Sequence, residues 1–247
     1  MKAMVFAAGL GTRLQPLTDD RPKALVEIAG RTMLEIALAR LRSFGIREVI
    51  VNVHHLADMI LEYLKTNHDF GMRIEVSREE VLLDTGGGLK RAAHFFLEDS
   101  SHDEPIVLHN VDALSTIDLH RMMQSHTENQ ALATLAVQDR EASRYLLFDK
   151  QLRLCGRRAA RGYKAEIVRL SSQVQDLAFC GIHVISPRLL TMMSEDGVFS
   201  IITSYLRLAA REERIFAFRA DEYYWRDLGT PDSVKQAAQD LEQGARQ

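Results

Sequence analysis

The chain is short of the features that would give it an easy classification. It has 2 cysteines in 247 residues, and Cys155 and Cys180 lack the C-x-x-C spacing of a zinc or redox motif. A disulfide framework is therefore not expected, and two reduced, buried thiols in a cytoplasmic protein are. No apolar run approaches the length of a membrane span, and the N-terminus has the pattern of a strand rather than a secretory signal. The formal net charge is −3, with Lys and Arg spread along the chain, so no basic excess is available for a nucleic-acid backbone. Internal repeats and low-complexity linkers are missing as well. The length suits one domain with a sizeable core.

Information is concentrated in the first thirty residues. An apolar run at residues 3–7 leads directly into Gly9-Leu10-Gly11-Thr12-Arg13, and Lys23 follows in Arg21-Pro22-Lys23-Ala24-Leu25. A strand ending in a glycine-rich turn lets backbone N–H groups close on phosphate oxygens. Arg13 adds a two-pronged, charge-assisted grip, and Lys23 can reach the same phosphates from another side. The segment reads as a site for a triphosphate and for chemistry on it. A dinucleotide fingerprint would need a third glycine where Leu14 stands, and a P-loop would need Gly-Lys-Ser/Thr. Taken alone, the glycine turn also fits a plain strand–helix connection with surface cations. Leu17-Thr18 and Pro22-Lys23-Ala24-Leu25 make the pattern more specific.

Strand-like and helix-like segments alternate through the first half. Residues 49–53 and 73–76 read as strands, and residues 56–64 and 89–96 as helices. A helical spacing runs through Met33, Ile36, Ala37, Leu41 and Phe44 and stops at Gly45. This rhythm predicts a mostly parallel sheet covered on both faces, with ligands beyond the C-terminal strand ends. The turn at residues 9–13 and Asp112, after the apolar run 106–108, both fall at such ends. The second half is richer in strands, at residues 131–137, 145–148, 152–155, 179–185 and 214–219. An amphipathic helix is predicted at 201–210 and a terminal one at 232–243, after Pro231. Residues 243–247 are expected to fray. The expectation is one domain over 1–247, a nucleotide-binding half to about 115 and an acceptor-binding half beyond it.

The run Ala7-Ala8-Gly9-Leu10-Gly11-Thr12-Arg13-Leu14-Gln15-Pro16-Leu17-Thr18, followed by Pro22-Lys23-Ala24-Leu25, resembles the signature of the sugar-1-phosphate nucleotidylyltransferases. Further motifs in the right order extend the resemblance over nearly the whole chain. It implies a three-layer α/β/α Rossmann-like nucleotide-diphospho-sugar transferase fold. The implied reaction moves a nucleotidyl group from an NTP (UTP, GTP or CTP) to a sugar 1-phosphate, giving an NDP-sugar for cell-envelope synthesis and pyrophosphate. Such chemistry rests on positioning and charge stabilisation, not on a protein nucleophile. By resemblance, Arg13 serves the leaving pyrophosphate and Lys23 the α-phosphate and the incoming phosphate. Ala7, Ala8, Gly9, Gly11, Thr12, Thr85, Gly86, Gly87 and Asn110 bind the nucleotide, and Glu166 and Gly181 bind the acceptor. Asp112 and Asp227, the latter in Trp225-Arg226-Asp227-Leu228-Gly229-Thr230-Pro231, hold Mg2+. The three glycines Gly86, Gly87 and Gly88 are expected to leave free N–H groups at a helix start. One departure is Val111 before the metal aspartate, where the family has glycine.

The short length most resembles the small uridylyl- and guanylyltransferase branch, with UTP and N-acetylmuramate 1-phosphate as the favoured pair. Guanylyl transfer to mannose or heptose 1-phosphate follows closely. Two rivals share the front half: a cytidylyltransferase acting on phosphocholine or another non-sugar phosphate, and a non-catalytic nucleotide-sugar-binding regulator. The second is expected to have lost Arg13, Lys23, Asp112 or Asp227, all present here. A monomer or small homo-oligomer is expected, with neither nucleic acid nor membrane as partner. His54-His55 and His109 lack the spacing of a zinc site, and the Met122-Met123 and Met192-Met193 pairs read as core filler.

Overall fold

Strand β1 (Lys2–Phe6) is apolar on both sides because both sides are covered. Ala3 and Val5 pack into one core layer and Met4 and Phe6 into another, the two-residue alternation of a strand buried on both faces. The computed structural model describes residues 1–98 and 104–243; the stretch 244–247, expected to fray, lies outside them. After β1 come the two-residue strands β2 (Glu27–Ile28) and β3 (Arg31–Thr32), then α1 (Met33–Ser43), β4 (Glu48–Val53), α2 (Ala57–Thr66) and β5 (Arg73–Arg78). Helices α3 (Asp84–Arg91) and α4 (Ala93–Leu97) lead to β6 (Ile106–Asn110). The second half has β7 (Ala113–Ser115), α5 (Leu119–Glu128), β8 (Ala133–Gln138), β9 (Tyr145–Phe148), β10 (Leu154–Arg158), β11 (Ala165–Ile167) and β12 (Gln175–Ile185). It ends with α6 (Arg188–Met192), α7 (Ile201–Ala210), β13 (Ile215–Arg219), β14 (Trp225–Asp227) and α8 (Pro231–Glu242).

The sheet runs β11-β10-β9-β12-β6-β1-β4-β5, and β8 joins β12 to β13. Strands β5, β4, β1 and β6 are parallel, while β12 pairs antiparallel with β6, β8 and β9. Met33 of α1, Ile60 of α2, Met122 of α5 and Ala237 of α8 cover one face. Leu89 of α3, Phe95 of α4, Leu189 of α6 and Tyr205 of α7 cover the other. The result is the expected three-layer α/β/α arrangement.

Local signals explain the helix starts. Thr32 caps α1 by accepting from the Glu35 N–H at 3.1 Å, a Thr-x-x-Glu capping pattern. Thr230 caps α8 in the same way through Ser233, with Pro231 in its first turn. The helix predicted at 89–96 differs from the observed one. It starts earlier, at Asp84, takes the glycines inside it and breaks into α3 and α4. Two features shape the C-terminal edge of the parallel strands. Strand β12 shifts register between Phe179 and His183, and Gly181 in this irregularity has φ +73°, a left-handed conformation that glycine adopts without strain. The short ribbon of β7 and β14 pairs Ala113 with Asp227, bringing the end of the chain back beside β6.

Candidate active site

The loop after β1 wraps around Lys23. Gly11 sits at φ +70°, and a Cβ there would meet Thr18 Cγ2 at 2.9 Å and Lys23 Cβ at 3.1 Å, so only glycine brings the loop this close. Thr18 closes it by donating from Oγ1 to the Gly11 carbonyl at 2.9 Å. The Ala7 N–H is taken by Asn52 Oδ1 at 2.8 Å. Ala8 to Gly11 donate their N–H groups to nothing among the described residues. These are the free donors that a phosphate needs.

Two aspartates far apart in sequence meet at the strand ends. The Leu228 N–H donates to the Asp112 carbonyl at 2.9 Å, and Asp227 Oδ1 accepts from the Gly229 N–H at 2.9 Å. Lys23 Nζ forms an ion pair with Asp112, both side chains being mostly buried. A Cβ on Gly229 would lie 2.5 Å from Asp227 Oδ1 and 2.6 Å from Arg13 Nη2, so the Arg13 guanidinium and the Asp227 carboxylate flank the same glycine. Lys23, Asp112, Asp227 and Arg13 thus converge from four segments.

Two cavities meet at this cluster. The first, of about 350 Å3, is walled by Ala8, Gly9, Lys23, Asn52, Glu79, Leu82, Asp84, Thr85, Val111 and Val198. The second, of about 400 Å3, is walled by Arg13, Arg140, Ser143, Arg144, Phe179, Cys180, Gly181, Trp225 and Asp227. Asn110 and Asp112 belong to both. The Asn110 Oδ1 is buried without a hydrogen-bond partner. A Cβ on Gly181 would come within 2.9 Å of the Asn110 amide nitrogen. Both volumes fall in the range of small-molecule sites.

Several expected site residues stand elsewhere. Gly86 and Gly87 do not face the first cavity. Their N–H groups both donate to the Phe199 carbonyl, at 2.9 and 3.2 Å. A Cβ on Gly86 would be 2.3 Å from the Phe199 ring, and one on Gly87 2.3 Å from the Gly197 carbonyl. Their smallness seats the 197–199 loop, so the free N–H groups expected at a helix start are already spent. Thr85 does line the cavity, and its hydroxyl also accepts from Ile201 N–H at 3.1 Å. Ala7 is buried, and Thr12 is exposed on the turn; neither lines either cavity. Glu166 lies on the edge strand β11, held by Arg157 at 2.6 Å, and is not in the wall of the second cavity.

The fold supplies site residues that no motif announced. Glu79 is buried, with Oε1 accepting from Asn52 Nδ2 at 2.7 Å and Oε2 from Leu83 N–H at 2.9 Å. The only advance sign was a polar Asn52 inside an apolar strand. In the second cavity Arg140 stacks over Trp225, 3.7 Å from the ring centroid, and donates to the Phe179 carbonyl at 2.9 Å. Burial holds its pKa below the ordinary value. Trp225 Nε1 in turn donates to the Cys180 carbonyl at 2.7 Å. Burial pushes the Cys180 thiol up to about 12, so it offers no nucleophile. Both cysteines are free and buried. His109 is fully buried and held neutral, its pKa lowered to about 4 by desolvation. No cluster of three or more His, Cys, Asp or Glu poised for a metal occurs among the described residues. Two adjacent hard carboxylates that leave room for phosphate oxygens and water nevertheless fit a magnesium ion.

The family model described as nucleotidyl transferase matches residues 2–151. The N-acetylmuramate alpha-1-phosphate uridylyltransferase of Caulobacter vibrioides is 33% identical over 93% of this chain and 92% of its own. The D-glycero-alpha-D-manno-heptose 1-phosphate guanylyltransferase of Aneurinibacillus thermoaerophilus is 26% identical over 98% of this chain and 99% of its own. The crystal structure of HddC from Yersinia pseudotuberculosis superposes with a TM-score of 0.76 at 20% identity, over 97% of this chain and 99% of that one, a likeness of fold.

Proposed function

This chain belongs to the nucleotidyl transferase family, among its sugar-1-phosphate nucleotidylyltransferases, and from that premise we propose a magnesium-dependent transfer from UTP or GTP to a sugar 1-phosphate. One observation carries the reading: the two cavities meet at Asp112, with Lys23 on one side and Arg13 and Asp227 on the other. The first cavity takes the nucleoside triphosphate, its phosphates reaching the free N–H groups of Ala8 to Gly11. The second takes the acceptor. An oxygen of the acceptor phosphate bonds to the α-phosphorus as the bond to the β-phosphate oxygen breaks, and pyrophosphate leaves with the electron pair.

The protein's task is to bring two anions together and stabilise the charge between them. Lys23 shifts from Asp112 to the α-phosphate and the incoming phosphate, and Arg13 holds the departing pyrophosphate. Asp112 and Asp227 would hold the magnesium ion, which when bound offsets phosphate charge. The Caulobacter relative supports UTP as the first donor, and the guanylyltransferase relative supports GTP as the second.

The test is pyrophosphate release from the purified protein across five NTPs and a panel of sugar 1-phosphates plus phosphocholine, with and without Mg2+. We expect release with one sugar 1-phosphate pair, lost when acceptor or metal is withheld. Lys23→Ala should lower kcat by about 100-fold or more, the scale of losing one preorganised charge contact in the transition state, with far-UV circular dichroism unchanged. Undiminished turnover in that variant would remove Lys23 from the mechanism, and release with phosphocholine alone would reassign the acceptor class.

A further inference from the structure

Arginines on the strands outside the second cavity already have acids, whereas the three in its wall, Arg13, Arg140 and Arg144, form no ion pair with a described carboxylate. Arg157 holds Glu166, Arg158 holds Asp176 and Arg219 holds Asp221. The loop between β8 and β9 contains two acids, Asp139 and Glu141, and Arg161 takes both. The same loop's own arginines, Arg140 and Arg144, form no ion pair with any described carboxylate, and both face the cavity. Arg144 is exposed and makes no hydrogen bond to any described residue. Arg140 is clamped between Trp225 and the Phe179 carbonyl, with its Nε buried and unpartnered.

Their position matters as much as their charge. Trp225 and Asp227 are two residues apart on β14, so they share one face of the ribbon, about 7 Å apart at extended rise. Arg140 stacks on Trp225, whereas the acceptor's phosphate belongs at Lys23, beside Asp112 and Asp227. A sugar ring anchored by its 1-phosphate at Lys23 therefore presents its far side to Arg140 and Arg144. A neutral sugar would leave two guanidiniums beside it unmatched, one of them half-buried, and such a group is costly without an anion. A carboxylate matches the planar fork of arginine.

We propose that Arg140 and Arg144 read a carboxylate on the acceptor, so that the preferred substrate class is a carboxylate-bearing sugar 1-phosphate. This rests on the acceptor reading of the second cavity given above. The probes are matched pairs that differ only by the acid. N-acetylmuramate 1-phosphate is compared with N-acetylglucosamine 1-phosphate, and glucuronate 1-phosphate with glucose 1-phosphate. For each pair kcat/KM is measured with UTP and Mg2+, and Kd by calorimetry with a non-hydrolysable UTP analogue. The acidic member of at least one pair should be preferred by roughly tenfold or more, the size of a charge-assisted hydrogen bond. In Arg144→Ala that ratio should collapse toward one, with the change in KM rather than kcat, and Arg144→Lys should restore part of it. Arg140→Ala should act alike; Arg144 is exposed, so its variants keep the test independent of folding. Equal losses on both members of a pair would show that the arginines read the shared phosphate, and a wild-type ratio near one would show no carboxylate selection. Either result overturns the proposal. Absence of turnover with every acceptor would count against the transferase reading instead, and the Kd ratio would still decide this one.

Discussion

Gly229 governs how closely Arg13 and Asp227 approach each other. A side chain there would collide with Asp227 Oδ1 and Arg13 Nη2 at 2.5 and 2.6 Å. Arg13 is exposed and long, so it can swing aside; the short Asp227 also accepts from the Gly229 N–H and must turn. Gly229→Ala should therefore leave the melting temperature within a few degrees and lower kcat on the order of 100-fold, the loss expected from about 1 Å of misplacement. A higher Mg2+ requirement should accompany it. Thermal melts and a magnesium titration of pyrophosphate release check this, and a variant of wild-type rate and magnesium dependence would free Asp227 from the role given to it. Val111, by contrast, is tolerated where the family has glycine. Its side chain is buried in the core and borders the first cavity, while its N–H donates to the Phe6 carbonyl at 3.1 Å, so Asp112 keeps its place at the strand end.

Helix α3 shows what a motif leaves out. By sequence its glycines read as a nucleotide-binding turn, because three in a row at a helix start usually leave N–H groups free. In the fold a distant segment, residues 197–199, lies across them and takes those donors. Gly86→Ala would force a methyl group into Phe199, 2.3 Å from its ring and 2.9 Å from its carbonyl oxygen. It should cost about 1–3 kcal/mol, the range for overpacking a close contact. It should also raise KM for the nucleotide, since Thr85 and Val198 on the cavity wall move with that seam. Urea midpoints and a KM for UTP test this; unchanged values for both would mean that the seam yields freely. The same reason separates what was legible from what was not. Gly11, Thr18 and Lys23 carry a local pattern whose physics is complete within fifteen residues, so the phosphate end was readable. Arg140, Trp225 and Glu79 gain meaning only when the fold gathers segments that are distant in sequence, Glu79 with Asn52 and Arg140 with Phe179 and Trp225. Resemblance places Glu166 at the acceptor, but the register of β10 and β11 carries it to the sheet edge.

At the scale of the whole molecule, two histidines buried in its core tie folding to pH. His183 is enclosed by Phe6, Phe179 and Tyr205, with Nδ1 hydrogen-bonded to the Tyr205 hydroxyl at 2.9 Å. Desolvation, reinforced by His109, lowers its pKa to about 3. Desolvation and then Arg40 lower that of His109 to about 4, against opposing pulls from the Asn110 carbonyl and then Asp112. Both rings are therefore neutral in the fold, yet titrate near 6.5 once the chain opens. Below that pH the unfolded chain takes up the protons first, so the contribution is full above about 6.5 and declines as pH falls toward 4 and 3. Each group should remove about 1.4 kcal/mol per pH unit within its window. Glu195, held down to about 2 mainly by its hydrogen bonds from Arg207, adds its loss only below its ordinary 4.5, so pH 6.5 to 4.5 isolates the histidines. His94, raised by Glu75, works in the opposite sense, but it is exposed and solvent screens it. Urea midpoints should thus fall steadily from about pH 6.5 to 4.5. His183→Gln, which can keep a hydrogen bond to Tyr205, should flatten the slope by about half. A wild-type midpoint level over that range would mean that water or a bound partner reaches these rings, and the neutral buried core described for them would have to be abandoned.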